Sequence, residues 1–387
     1  MRSLLFLLLT QLFAWPVAAQ GRLEGPGALF PVQDLAGRPG VANVVEQALV
    51  KALAERTELV DAEVLRNAQR RLRLRDPAAA PPASLERLAE ASGADWLLAV
   101  TLHRASESEV SRATRAFAGP SATSNWAPRV PQITLAASLY QAGKDEAGND
   151  TVVLAWAGFA AASGLDQRRV LGLGIIDDSE ELARQAATRL LDGVLTTSAS
   201  AKPAPGHPSR TGFRRAAGPV AIGPVAIGPV AVVPFRGIVE RDATRAAATV
   251  ADLALAVLFA EEVEVLSPGI VRDVLRREEV EVRGEVRRDV RAALAKAGAR
   301  TILTGTVESW AIQGSVEPNP HVALGARLVD AKTGAILWID GVDRQGSDFE
   351  AAFGTGGIHA RGALAQSLMN SLIRGMLNDK NETGDGP

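Results

Sequence analysis

No cysteine occurs anywhere in this chain of 387 residues. That absence excludes disulfides, the usual staple of small exported domains, so stability has to come from burial in an ordinary core. It removes the thiolate ligands of a zinc site. It also removes the acylated residue that a lipoprotein carries just after its leader, so no amino-terminal lipid anchor is expected. Histidine is nearly as scarce. His103, His207, His321 and His359 fall in separate stretches, and the expectation for them is solvent-facing or strand-end positions, with no metal bound. With one tyrosine in the chain, the aromatic girdles of a membrane-spanning barrel are missing as well. Charge of one sign is not in excess: 42 basic against 44 acidic residues leave a net charge of −2, which argues against nucleic acid as a partner. The Arg-rich stretches at 70–75 and 287–288 have acidic neighbours and read as solvated helix faces.

Chemical motifs are also missing. There is no G-x-S-x-G elbow. The glycine clusters Gly172-Leu173-Gly174 and Gly354-Thr355-Gly356-Gly357 are followed by no Gly-Lys-Ser/Thr, so neither is a phosphate-binding loop of the Walker kind. They read as loops before docking helices. The carboxylates Asp177, Asp178, Glu180 and Glu181 stand in a first helical turn, where they complement the helix dipole. The expectation is no catalytic, cofactor-binding or metal-binding residues and no enzymatic activity.

What is present begins with a leader. Met1-Arg2-Ser3 is a short basic start, and residues 4–15 are apolar apart from Thr10 and Gln11. Pro16 then breaks the run ahead of Val17-Ala18-Ala19. The pattern predicts a signal peptide over residues 1–19, cleaved after Ala19. The apolar run falls short of the roughly 20 residues that span a bilayer, and no later run is longer, so no transmembrane helix is expected.

Residues 199–229 form a linker rich in proline, glycine and alanine. It ends in tandem pentapeptides, GPVAI at 218–222, GPVAI again at 223–227 and GPVAV at 228–232. Such composition cannot bury enough apolar surface to fold, and the pentapeptides read as a duplication at the DNA level without chemistry of their own.

The two flanks of the linker match. Ala28-Leu29-Phe30-Pro31-Val32 answers Ala231-Val232-Val233-Pro234-Phe235. Val64-Leu65-Arg66 answers Ile270-Val271-Arg272, and Ala91-Ser92-Gly93-Ala94 answers Lys296-Ala297-Gly298-Ala299. Trp156 answers Trp338, and Leu182, Leu190, Leu191 and Gly193 answer Leu364, Leu372, Ile373 and Gly375. The first copy carries extra residues between Leu102 and Leu135 and near 143–150, where loops tolerate insertion. The expected organisation is a first, divergent α/β domain at 20–198, a second at 230–377 and a disordered tail at 378–387.

Within the second copy, residues 230–235 form a continuous apolar run, as in a strand buried on both faces. Residues 241–260 read as a helix and 263–266 as a short strand. Ser267-Pro268 reads as a helix start with Ser as the cap. A second helix at 285–296 ends at Gly298. Strands follow at 301–307, 321–329 and 335–342, the last two joined by the turn Asp330-Ala331-Lys332-Thr333-Gly334. Val322, Leu324, Ala326 and Leu328 alternate inward. A final helix spans 358–377. The fold class is therefore α/β (α+β): two tandem copies of a mixed sheet covered by helices, each in the order β-α-β-α-α-β-β-β-α. Trp156 and Trp338 are expected to be packing residues.

The Ala299–Val307 strand with its Thr304-Gly305-Thr306, followed by the hairpin Leu328-Val329-Asp330-Ala331-Lys332-Thr333-Gly334-Ala335-Ile336-Leu337-Trp338, resembles the α/β domain shared by the curli-secretion lipoprotein CsgG, the penicillin-binding-protein activator LpoB and the amino-terminal domain of TolB. The first copy keeps the layout with weaker motifs. The resemblance implies a periplasmic assembly or interaction module. The expected function is a non-catalytic scaffold for assembly or export at the bacterial cell envelope, acting on envelope protein partners or by self-association. A ring- or pore-forming secretion component is the alternative, and an exported hydrolase or ligand-binding enzyme a further one. The expected location is periplasmic or secreted. Cell fractionation with amino-terminal sequencing checks the leader: the mature chain is expected in the soluble envelope fraction starting at Gln20. Retention of Met1, or release only by detergent, contradicts it.

Overall fold

The computed structural model describes residues 23, 25–74, 76–77, 80–106, 131–144, 150–164, 178–195, 227–238, 241–278, 286–313, 319–350 and 357–378. The leader, the linker up to residue 226, the glycine clusters at 172–174 and 354–356 and the tail from 379 lie outside these residues, as does His207. The chain builds two sheet-containing α/β units.

The first unit runs β1 (Gly27–Leu29), β2 (Gln33–Asp34), α1 (Pro39–Ala54), α2 (Ala62–Leu72), α3 (Pro82–Ser92), β3 (Trp96–Ser106), β4 (Gln132–Lys144), β5 (Asp150–Ser163) and α4 (Ser179–Leu195). The second repeats the order with β6 (Val230–Val232), β7 (Arg236–Gly237), α5 (Arg241–Ala260), α6 (Pro268–Arg277), α7 (Arg288–Lys296), β8 (Thr301–Gln313), β9 (Asn319–Asp330), β10 (Ile336–Gln345) and α8 (Arg361–Asn378). The sheets have the orders β1-β3-β4-β5 and β6-β8-β9-β10, with β2 and β7 extending the first strand of each along β3 and β8. The first strand is parallel to its neighbour and the last three are antiparallel in both units.

The match extends to single hydrogen bonds. Phe30 N–H donates to Leu98 O and Val233 N–H to Leu303 O; Leu35 N–H donates to Leu102 O and Ile238 N–H to Val307 O. Each central strand bulges at one residue, His103 in β3 and Glu308 in β8, where the register skips. On the helices, Val45, Leu49 and Leu53 of α1 sit as Val250, Ala254 and Leu258 do on α5, all of them buried. Leu182, Leu190 and Val194 of α4 likewise answer Leu364, Leu372 and Met376 of α8.

Several features differ from the reading of the sequence, among them the helix read at 285–296, which begins at Arg288. The expected strand at 263–266 is reduced to a single bridge, Val265 to Val230, because the chain turns at once into α6. The first strand is instead split in two, β1/β2 and β6/β7. Pro31 and Pro234 fall in the gaps, where a residue without an N–H interrupts a ladder. Ser267 holds the N-cap position of α6, but its side chain makes no cap hydrogen bond. The fixed φ of Pro268 at the helix start does the ordering there. The Asp330–Gly334 turn is held as its sequence suggests. Asp330 Oδ1 accepts from Thr333 N at 2.6 Å, Thr333 Oγ1 at 2.8 Å and Lys332 N at 3.0 Å, and Gly334 takes a φ of +81°. These bonds, that from Thr333 N foremost, hold the Asp330 carboxyl below its usual range despite some desolvation.

In the first unit one face of the sheet packs against α1 and α4. The other packs partly against α2 and α3, with Tyr140 enclosed there. Burial pushes the Tyr140 phenol up to about 12. Trp156 is 8% exposed in the α1/α4 core. Its ring lies over Gly193 of α4, where a β-carbon would already be 3.2 Å away. Trp338 takes the same position in β10 but is half-buried at the rim of its core. Trp156→Ala is therefore expected to lower stability by about 3–5 kcal/mol and Trp338→Ala by clearly less. Denaturant titration of the two variants checks the ranking, and equal losses would contradict it.

The inter-unit interface as candidate functional site

The half of the first sheet that α2 and α3 leave bare is covered by the second unit. Its cross-strand rows are Ala99–Ser138–Ala157 and Thr101–Ala136–Phe159. These are small residues apart from Phe159, so a helix can approach closely. The helix that does so is α5, which is buried nearly all round: between Ala246 and Leu258 every residue is buried except Ala248, Ala251 and Asp252. One side of α5 packs on its own sheet through Val250, Leu253 and Val257. The opposite side carries Asp252 and Leu255 to the first sheet. A helix apolar all round belongs inside a structure, and α5 lies between two sheets.

The units interlock at several points. Phe159 of β5 packs against the second unit's core and Phe259 of α5 against the first unit's core. Gly269 of α6 lies so close to the Ala80 carbonyl that a β-carbon there would overlap it. At Gly362 of α8 a β-carbon would crowd Thr134 Oγ1 at 2.8 Å and the Ala161 methyl at 3.0 Å. Gln132 Nε2 donates to His359 O at 3.0 Å.

A chain of polar groups crosses this boundary. His103 Nε2 is 2.9 Å from Asp252 Oδ2, with the His103 side chain 1% exposed and that of Asp252 23%. Arg272 of α6 stands 3.8 Å from Asp252 and 3.6 Å from Asp76. Gln33 Nε2 donates to Asp76 at 3.4 Å, and Thr101 Oγ1 donates to Gln33 Oε1 at 3.3 Å. Above these groups is a cleft of about 320 Å³, walled by Leu35 from one side and by Pro234, Leu255, Pro268 and Val271 from the other. Desolvation raises the Asp252 carboxyl, but the hydrogen bond to His103, the charge of that ring and the Arg272 guanidinium outweigh it and hold the group below its ordinary value.

The expectation for His103 is corrected here: it is buried at a strand bulge and faces a carboxylate of the other unit. Its partner is 149 residues away in sequence, beyond any local pattern. His321 does sit at a strand end, 2.6 Å from Asp343. No group of three or more metal-ligating side chains is found among the described residues, and no described helix is long and apolar enough to cross a membrane. Asp178 caps α4 by accepting from Glu180 N at 2.8 Å, and Glu180 and Glu181 pair with Arg184 in the first turns. Asp177 lies outside the described residues.

No family model matches the chain, and neither does any curated protein. Among solved structures, the PelC dodecamer from Paraburkholderia phytofirmans is 20% identical, aligning 39% of this chain with 89% of that one at a TM-score of 0.27. Lipoprotein GNA1162 from Neisseria meningitidis is 17% identical, over 39% of this chain and 98% of that one, at 0.29. The LpoB C-terminal domain from Escherichia coli is 17% identical, over 32% and 88%, at 0.23.

The depressed Asp252 carboxyl fixes a pH dependence. Its stabilisation is present above the ordinary value of 3.8 and is lost as pH falls through and below it. Between neutral pH and the acid side of 3.8 the parent is expected to lose more of its melting temperature than Asp252→Asn does. Parallel slopes for the two proteins contradict a contribution from this pair.

Proposed function

We propose that this chain is a non-catalytic interaction protein of the bacterial cell envelope, in which two copies of one domain are locked together so that a single sheet face stays available to a partner. The observation that carries this reading is the difference between two equivalent faces. The face that lies under α5 in the first unit corresponds in the second unit to the rows Thr304–Arg327–Ile339 and Thr306–Gly325–Gly341; Thr304 there is buried, but the outer part of the face is open, with Ile339 51% exposed. The leader-like start and the hairpin motif support the envelope assignment, and the element-by-element match of the units supports their origin as copies. A buried His103 is out of reach of any substrate, and a general base has to lie within hydrogen-bond distance of the proton it takes. That speaks against His103 as the general base of an exported hydrolase at this boundary, while Asp252 and Asp76, which line the cleft, are held in ion pairs with Arg272.

A photoreactive side chain placed at Ile339 in cells is expected to crosslink the mature protein to an envelope protein, with the same probe at exposed Lys332 giving no such product. Absence of any crosslink from position 339 contradicts the reading.

A further inference from the structure

We infer that the open sheet face of the second unit is built to receive α1 of a second copy of this chain, repeating between molecules the contact that α5 makes within one. The inference rests on the function proposed above and names the partner of that same face.

The contact inside the chain is heterologous: the sheet face of one unit meets the helix face of the other. A unit of this kind thus carries two complementary surfaces, and each molecule uses one of each. The sheet face of the second unit and the helix face of the first are left over. Structural equivalence identifies the residues on both. One position beyond the matched Leu49 and Ala254, Val50 on α1 stands where Leu255 stands on α5. Leu255 is 5% exposed under the first sheet, and Val50 is 41% exposed. On the sheet side, Ile339 stands where Ala157 is 5% exposed beneath α5. Ile238, 52% exposed, stands where Leu35 lines the inter-unit cleft. Two exposed apolar side chains, Val50 and Ile339, therefore sit at positions that the internal contact buries, and Ile238 stands at the rim, where Leu35 is itself 37% exposed.

The polar link is conserved in kind. Glu308 occupies the bulge position of His103, and Gln47 the α1 position of Asp252. The internal imidazole–carboxylate pair becomes a carboxylate that accepts from an amide, so the hydrogen bond is kept with the acidic partner exchanged between the surfaces. One end of the contact does not carry over. Glu180 of α4 stands where Gly362 packs tightly, and it would face Asp343 where Gly362 faces Ala161. The second contact therefore closes along α1 and stays open at α4. It is more polar than the internal one, with Arg327 and Glu308 in place of Ser138 and His103, which suits a reversible association.

A heterologous contact generates a ring or an open filament, and this property gives a decisive test on the full mature chain. By light scattering coupled to size exclusion, the parent is expected to exceed the mass of one chain as concentration rises. Val50→Asp and Ile339→Asp, both folded by circular dichroism and thermal melting, are each expected to run as single chains. Mixing the two variants is expected to restore association but only to a heterodimer, because the first retains an intact sheet face and the second an intact helix face. A parent that stays a single chain at all accessible concentrations overturns the inference, as does a mixture that stays monomeric. If the parent is monomeric while the probe at Ile339 captures a different envelope protein, the interaction function stands and self-association fails.

Discussion

Burial of α5 between two sheets is the constraint on which the rest of the molecule depends. One side of the helix completes the core of its own unit with Val250, Leu253 and Val257. The other side closes the first unit by covering the rows of small residues around Ala99, Ala136 and Ala157. Burying a leucine side chain such as Leu255 contributes about 1.5–3 kcal/mol, and that contribution exists only while both units are folded and in place. The glycines at 269 and 362 set how closely the two units approach, and the pair His103–Asp252 sets their register across the boundary.

The two units are alike in path and unlike in surface. On α1 the positions that correspond to the inter-unit side of α5 carry Asn43, Glu46, Gln47 and Lys51 in place of Ala248, Ala251, Asp252 and Ala256. Phe159, which enters the second unit's core, corresponds to Gly341. The internal boundary is therefore mainly apolar, with polar groups at the cleft and at the Gln132–His359 contact, and the corresponding outer surfaces are mixed. Leaving a buried polar group such as the His103 ring without its hydrogen-bond partner costs about 1–3 kcal/mol, whereas exposed pairs such as Arg184–Glu180 contribute little.

Much of the fold was legible because the periodicities are regular. Val322, Leu324, Ala326 and Leu328, read as alternating inward, are all buried in β9, alongside Ala323 and Val329 on its other face, and the helix read at 241–260 has those bounds in the structure. What escaped were features decided by tertiary contact. A burial pattern says that a residue is inside but not against which unit, so the Ala- and Leu-rich α5 reads only as a helix. Its lack of a polar stripe, set beside Asn43, Glu46, Gln47 and Lys51 on α1, was the available signal. His103 looked like a strand-end histidine because its carboxylate comes from a distant helix. Ser267 carried the letter of a cap without making the bond, and the prolines at 31 and 234 divided a strand that the apolar run suggested was continuous.

The order in which the chain is made gives the internal boundary a further consequence. The first unit emerges complete, from β1 to α4, before any of α5 exists. Until then the surface around Phe159 and Ala157 is bare, with its neighbouring helices already in place on the opposite side. If the first unit folds in that interval, its sheet face is uncovered with Phe159 bare, and such a surface is prone to aggregation. Maturation thus has a vulnerable period whose length is set by how long the chain takes to deliver some sixty residues beyond α4, and a protein truncated after its first unit would remain in that state permanently.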